Sequence, residues 1–194
     1  MGQGTSERLT WLRVPVEDEL PVEIRKLWGP SLEKLGFVPN VLRLFALRPS
    51  HLIAWNDHYD ELMKGDSGLT KAERELIAVV VSVTNDCAYC IAAHSAALRK
   101  LTKDPHFADV AQEDYTKASL EPRLRVMVDY AVKLTRTPQE MSEADVDSLR
   151  EAGWTDEDIM DIAEVTAMFN FSNRMASGLG WAPNPEYETL GREV

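Results

Sequence analysis

Residues 70–95 read TKAERELIAVVVSVTNDCAYCIAAHS, and the reading of LIAVVVSV within that stretch decides the fold. The run is apolar and β-branched, the composition of a buried strand. A strand leading into Cys-x-x-Cys at the start of a helix would open a thioredoxin-like site. Two observations favour a helix. Thr70 and Glu73 form a capping box, in which hydroxyl and carboxylate each satisfy an unpaired N–H at a helix start. No second β-branched run of comparable strength occurs in the chain, and a lone strand leaves its backbone groups without partners. The spacing therefore predicts a helix over 71–83. A second is predicted from the cysteines onward, where CAYCIAAHSAALRKL is rich in Ala and Leu. Asn85 or Asp86 is the expected cap of that second helix.

Outward from this pair the pattern stays helical, and the predicted class is all-α. ELPVEIRKLWGPSLEKLGF carries apolar residues at helical spacing, with an expected interruption at Gly29-Pro30. Asn40 is placed to cap VLRLFAL, and Pro49 fits the first turn of a helix running to Met63. Pro122 opens a helix that stops before Pro138. Ser142 and Gly153 bound another, and Thr155 caps a long last helix. Residues 1–19 read as an N-terminal arm and 20–194 as one helical domain, with an irregular tail after Trp181. LTKAERELIAVVVSVTNDCAYC and WTDEDIMDIAEVTAMFNFSN echo one another. Two related helical halves would give such an echo, and so would chance similarity between two capped amphipathic helices.

Composition limits the function. The 194 residues carry a formal net charge of −11 and are 44% hydrophobic. The charge argues against a nucleic-acid backbone as partner. Met1–Ser6 fits a loose myristoylation pattern with no polybasic patch beside it. The N-terminus has no apolar signal region, and no apolar run reaches the roughly 20 residues of a membrane span. A cytoplasmic protein without membrane partner is expected.

Both cysteines of the chain lie in the opening stretch. Cys87 and Cys90 are three residues apart and His94 follows four later, so two sulfurs and an imidazole share one helix face. At a helix start, free N–H groups and the macrodipole favour thiolate. A second thiol nearby can capture a sulfenic acid as a disulfide. Two other readings stay open: small core cysteines, and a zinc site with Glu75 or His106 completing the set. Glu75 enters an apolar run, so it sits at a solvated edge or is buried for a reason. Asn170, Asn173 and Arg174 interrupt the last helix as a core network, a helix-end contact or a site lining. His51 and His58 read as surface or partly buried residues, and Trp and Met as core.

RELIAVVVSVTNDCAYCIAAHSAAL resembles the AhpD-like superfamily, which groups alkyl hydroperoxidase D, carboxymuconolactone decarboxylase and a peroxidase-related branch. The pattern is Glu75, eleven residues, Cys87-x-x-Cys90, three residues, His94. GFVPNVLRLFALRP, LRVMVDYAVKLTRTP, LREAGWTDEDIMDI and FNFSNRMASGLGW resemble the peroxidase-related branch, and together the likeness covers residues 20–182. It implies an AhpD-like helical fold, a homo-oligomer (trimer or hexamer), and reduction of small hydroperoxides by the dithiol. Cys90 would be the peroxidatic thiol, Cys87 the resolving one, and Glu75 with His94 the proton relay. The thiol reductant is unknown, and no cofactor or metal is implied. Decarboxylases proper lack the dithiol, so lactone decarboxylation is not implied. Tyr89 stands where alkyl hydroperoxidase D has a histidine, and weak or donor-restricted turnover is the expectation drawn from it. The alternative function is a non-catalytic, redox-responsive or structural module.

Overall fold

A computed structural model describes residues 8–192; the myristoylation-like Met1–Ser6 lies outside them. Nine α-helices and no strand occur among the described residues. They are α1 (Val22–Leu35), α2 (Asn40–Leu44), α3 (Pro49–Lys64), α4 (Lys71–Thr84), α5 (Ala88–Thr102), α6 (Pro105–Asp114), α7 (Pro122–Arg136), α8 (Glu143–Glu151) and α9 (Asp156–Leu179).

The ambiguous apolar run is helix because of where it sits. Every residue from Arg74 to Ser82 is buried, and α4 packs against α5, α6, α7 and α9. A helix that is apolar all round belongs at the centre of a bundle. The propensity deficit of valine in a helix, at most about 0.7 kcal/mol per residue, is small beside burial of about 1.5–3 kcal/mol per side chain. The Thr70–Glu73 capping box is present. Arg74, itself buried, donates to the carbonyls of Leu62, Gly65 and Leu69 and closes the loop from α3.

The interruption expected at Gly29-Pro30 does not occur: α1 runs through Pro30. Proline normally pushes its predecessor out of the α region by a clash with that residue's Cβ. Gly29 has no Cβ, which removes that part of the clash and leaves the missing hydrogen bond and the crowding of the proline ring against the preceding turn. Asn40 does not cap α2 with its side chain, which instead donates to the Ala182 carbonyl. The cap is tertiary. Asn184 Oδ1 accepts from the Asn40 N–H at 2.7 Å, and the Tyr89 hydroxyl accepts from the Val41 N–H at 2.9 Å.

Both chain ends described here are docked. Leu9 and Trp11 exchange backbone hydrogen bonds with Ala182 and Leu179. The Trp11 ring covers Gly180, which has φ +63° and no room for a Cβ. The tail after Trp181 is irregular apart from a short 3-10 turn at Pro185–Glu188. Buried Arg99 of α5 donates to the carbonyls of Tyr187 and Leu190, and Gly191 lies close on the α5 backbone. Helices α4 and α9 both begin with a Thr capping box. Their likeness ends at Thr84, where α4 stops and α9 at the matching place runs on.

The stop after α4 positions the cysteines. Asp86 adopts the left-handed conformation, φ 51°. The Cys87 N–H bonds back to the Ser82 carbonyl and the Asp86 N–H to the Val83 carbonyl, the paired bonds of a Schellman motif. The residue that completes this motif, Cys87, is also the N-cap of α5. Replacing Asp86 with valine is expected to cost about 1–2 kcal/mol, the penalty of a left-handed β-branched residue, whereas Asp86→Gly should cost nothing. Urea denaturation of the two variants checks this, and equal midpoints would contradict it.

Candidate active site

Neither Asn85 nor Asp86 caps α5, contrary to expectation. Asp86 is used by the left-handed turn. The Asn85 side chain donates instead to Oδ1 of Asn170 and of Asn173, at 3.1 and 2.9 Å. Cys87 holds the N-cap position without a side-chain capping hydrogen bond to α5, and Cys90 lies one turn on. Both thiols are free, and they are only 1% and 3% exposed. A reactant therefore reaches them only through an internal space.

That space is a cavity of about 520 Å³, within the range of about 300–1,000 Å³ typical of small-molecule sites. Cys90, His94 and Glu75 line it, and Cys87 does not. Six aromatic side chains are part of its wall. Trp55 stacks on Tyr59 with centroids 5.1 Å apart, and Tyr59 meets Phe169 edge-on at 6.4 Å. Tyr89 meets Trp181 and Tyr187 edge-on at 6.0 and 6.5 Å. α3, α5, α9 and the C-terminal tail each contribute a side.

Glu75 and His94 meet across the α4–α5 hairpin, with Oε2 2.7 Å from Nδ1. An ionised carboxylate can only accept, so the imidazole proton lies on Nδ1 and Nε2 is left as a base. Phe169 fixes the ring edge-on at a centroid distance of 4.4 Å. Of the two readings left open for Glu75, solvated edge or buried position, the structure has it buried and facing α5, while Glu73 is confined to the capping box.

The two sulfurs are not equivalent. The Cys90 thiol first, and then the Cys90 backbone N–H and Ser177, lower Cys87 to about 6 against the resistance of burial. The same contact, burial and the charge on Cys87 raise Cys90, with Asn173 and Ser82 working the other way. The two sulfurs thus share a proton, with Cys87 the more acidic of the pair and Cys90 the less acidic. Asn173 also donates to the Ser82 hydroxyl at 3.0 Å. Asn170 donates to Thr135 and accepts from Arg174. Asn173 is buried in a core network with Ser82, half-buried Asn170 joins it in a helix-end contact with Asn85, and Arg174 is exposed and bonds Asn170.

Tyr89 is a structural wall of the site. It is buried, and its hydroxyl accepts from the Val41 N–H. Burial raises Tyr59, Tyr89 and Tyr187 as acids, Tyr187 to about 12, so all three are hydrogen-bond donors and not bases at neutral pH. Sequence reading took Trp55 and Trp181 as core and did not single out Tyr59 or Tyr187, all four of which line the cavity. Ser82, the one polar residue inside VVVSV, was a signal for a group behind the sulfurs. His51, His58 and His106 are exposed. No group of three His, Cys, Asp or Glu side chains among the described residues is disposed to hold a metal ion.

An all-helical protein with a dithiol at a helix start, backed by a carboxylate–imidazole pair, is the class defined so far. The carboxymuconolactone decarboxylase family model matches residues 49–106. A peroxidase-related protein from Silicibacter sp. TM1040 is 46% identical, with 98% of this chain and 100% of that one covered and a TM-score of 0.93. A peroxidase-related protein with an alkylhydroperoxidase AhpD core from Ralstonia eutropha JMP134 is 44% identical, with 96% and 98% covered and a TM-score of 0.93. The debrominase Bmp8 is 17% identical over 98% of this chain and 99% of its own, with a TM-score of 0.78, a likeness of fold alone. No curated protein matches. The chain belongs to the AhpD-like and carboxymuconolactone decarboxylase superfamily, in its peroxidase-related branch.

Because the Cys90 thiol is the leading cause of the low value at Cys87, Cys90→Ala should return Cys87 toward the ordinary thiol value of about 8.5. Ultraviolet thiolate absorbance followed against pH reads this directly. The wild type should lose its thiolate as pH falls through about 6, and the variant should already have lost most of it at neutral pH. An unmoved midpoint would contradict the shared proton.

Proposed function

We propose that the protein is a thiol-dependent peroxidase that reduces hydroperoxides through Cys90 and Cys87. The observation that carries the reading is that Cys90, Glu75 and His94 line one cavity. Cys90 gives its proton to Nε2 of His94, whose Nδ1–H is held by Glu75. The thiolate attacks the outer peroxide oxygen. The S–O bond forms, the O–O bond breaks, and the departing alkoxide takes the proton from His94 and leaves as alcohol. Cys87, already anionic, then attacks the sulfur of the Cys90 sulfenic acid. The S–S bond forms, and hydroxide leaves and is protonated to water. Two electrons have passed from the dithiol to the peroxide, and an external thiol reductant must return them.

The division of labour between the sulfurs supports this order. Cys90 faces the cavity, and Cys87 waits behind it as the lower-pKa thiol. A dithiol that served only to signal oxidation to a partner would need no cavity opening on one sulfur.

Peroxide consumption with a dithiol reductant tests the proposal. Cys90→Ser should abolish turnover, and Cys87→Ser should oxidise once and stall. Glu75→Gln should slow turnover on the order of 10²-fold, the usual cost of losing an acid–base group. Glu73→Gln should cost roughly 1 kcal/mol of cap stability and leave the rate alone. Turnover that survives Cys90→Ser, or equal rates for the two glutamate variants, would overturn the assignment.

A further inference from the structure

The cavity has a long axis and a charged mouth. α5 presents Cys90, Ala93, His94, Ala97 and Lys100 to it, the spacing of a single helix face. Ten residues separate Cys90 from Lys100, so at 1.5 Å per residue the face runs about 15 Å. Exposure rises steadily along it. Cys90 is buried, Ala93, His94 and Ala97 are half-buried, and Lys100 and its neighbour Leu101 are exposed. α3 shows the same gradient, from half-buried Trp55 and Tyr59 to exposed Lys64. The mouth therefore lies between the C-terminal ends of α3 and α5.

The walls between mouth and sulfur are mainly apolar and aromatic, with Ser31, Asn56 and Ser172 as polar exceptions. Ala93 and Ala97 are small enough to leave a trough along α5, and the aromatic side chains of α3 and α9 face them. At the deep end the polar groups are those of the proposed reaction, and Glu75 there repels an anion. At the mouth, Lys64 is paired with Asp60, whereas Lys100 forms no ion pair among the described residues. A cation at the rim, a long apolar trough and an acidic deep end select a substrate with polarity at both ends and a fixed direction of entry.

We infer that the site takes long-chain carboxylate hydroperoxides of the fatty-acid type, held with the carboxylate at Lys100, the chain along the α5 trough and the peroxide at Cys90. The fate of the peroxide rests on the proposed peroxidase reading; the binding of the chain does not. Each methylene buried in the trough adds to affinity, so a short acid fills the site poorly. The carboxylate sets direction, because the reverse orientation would bring it against Glu75.

Trp55 and Trp181 line the cavity and report its occupancy, so the test is tryptophan fluorescence of the whole chain titrated with laurate, methyl laurate and butyrate. Laurate should bind roughly tenfold tighter than its ester, the worth of one charge-assisted contact, and butyrate should not saturate the signal. Lys100→Gln should bring laurate and its ester to the same affinity. Equal binding of laurate and ester by the wild type, no effect of Lys100→Gln, or butyrate binding as tight as laurate would overturn the inference. In a parallel assay, the kcat/KM ratio of a fatty-acid hydroperoxide to tert-butyl hydroperoxide should fall about tenfold in Lys100→Gln. If laurate binds as described and no hydroperoxide is consumed, the peroxidase reading fails and the site stands. If tert-butyl hydroperoxide is consumed and laurate does not bind, the inference fails and the peroxidase reading stands.

Discussion

A carboxylate and an imidazole 2.7 Å apart, with side chains only 11% and 12% exposed, set the requirement that the surrounding helices meet. Glu75 and His94 lie on opposite sides of the turn at Asn85–Asp86, ten and eight residues from its two members. At 1.5 Å per residue these are comparable distances of about 12–15 Å, so an α4–α5 hairpin brings the two side chains level. A charged group can stay out of water only with a partner, and each of these is the partner of the other. An apolar pair of similar volume would pack there at no such cost. The value of the contact therefore lies in fixing which imidazole nitrogen faces the cavity, more than in stability.

The tight reversal that aligns this pair also places the sulfurs. Because one Schellman motif ends α4 and delivers Cys87 as the N-cap of α5, no loop intervenes to let the dithiol move relative to Glu75. α9 supports the arrangement from the other side, where Asn173 and Ser177 stand one helical turn apart and each influences one sulfur. The cysteines belong to the smaller of two hydrophobic clusters, with Leu20, Ile24, Leu42, Phe45, Ala176 and Trp181. The larger is built around α4, α7 and α9. The site is thus assembled where the N-terminal helices and the C-terminal tail close over the central bundle.

Local signals in the sequence were readable where the structure is local. The capping box at Thr70, the cap at Thr155, Pro49 at a helix start and Gly153 at a helix end all act within one turn and were found. The helical state of LIAVVVSV followed from a pairing argument, since a single strand has nowhere to send its backbone groups. The Glu75–His94 partnership was implied by the likeness to the superfamily, because no periodicity links residues 19 apart. What escaped was tertiary. The cap of α2 comes from Asn184 and Tyr89, far along the chain, so Asn40 looked like its own cap. The tail read as irregular, and largely is, yet Arg99 holds its backbone so that Tyr187 walls the cavity. Tyr89 was noticed for its chemistry as a replaced histidine, and its cap on Val41 had no sequence signature.

The central claim is that Cys90 and Cys87 act as one redox unit beside the Glu75–His94 pair. Peptide mass spectrometry after treatment with one equivalent of hydroperoxide and alkylation of the remaining thiols tests it most directly. The account predicts that the peptide spanning both cysteines is lighter by two hydrogens and carries no alkyl group, and that a dithiol reductant restores alkylation at both. Full alkylation of both cysteines after peroxide, or oxidation of Cys90 to the sulfinic acid with Cys87 still alkylated, would contradict it.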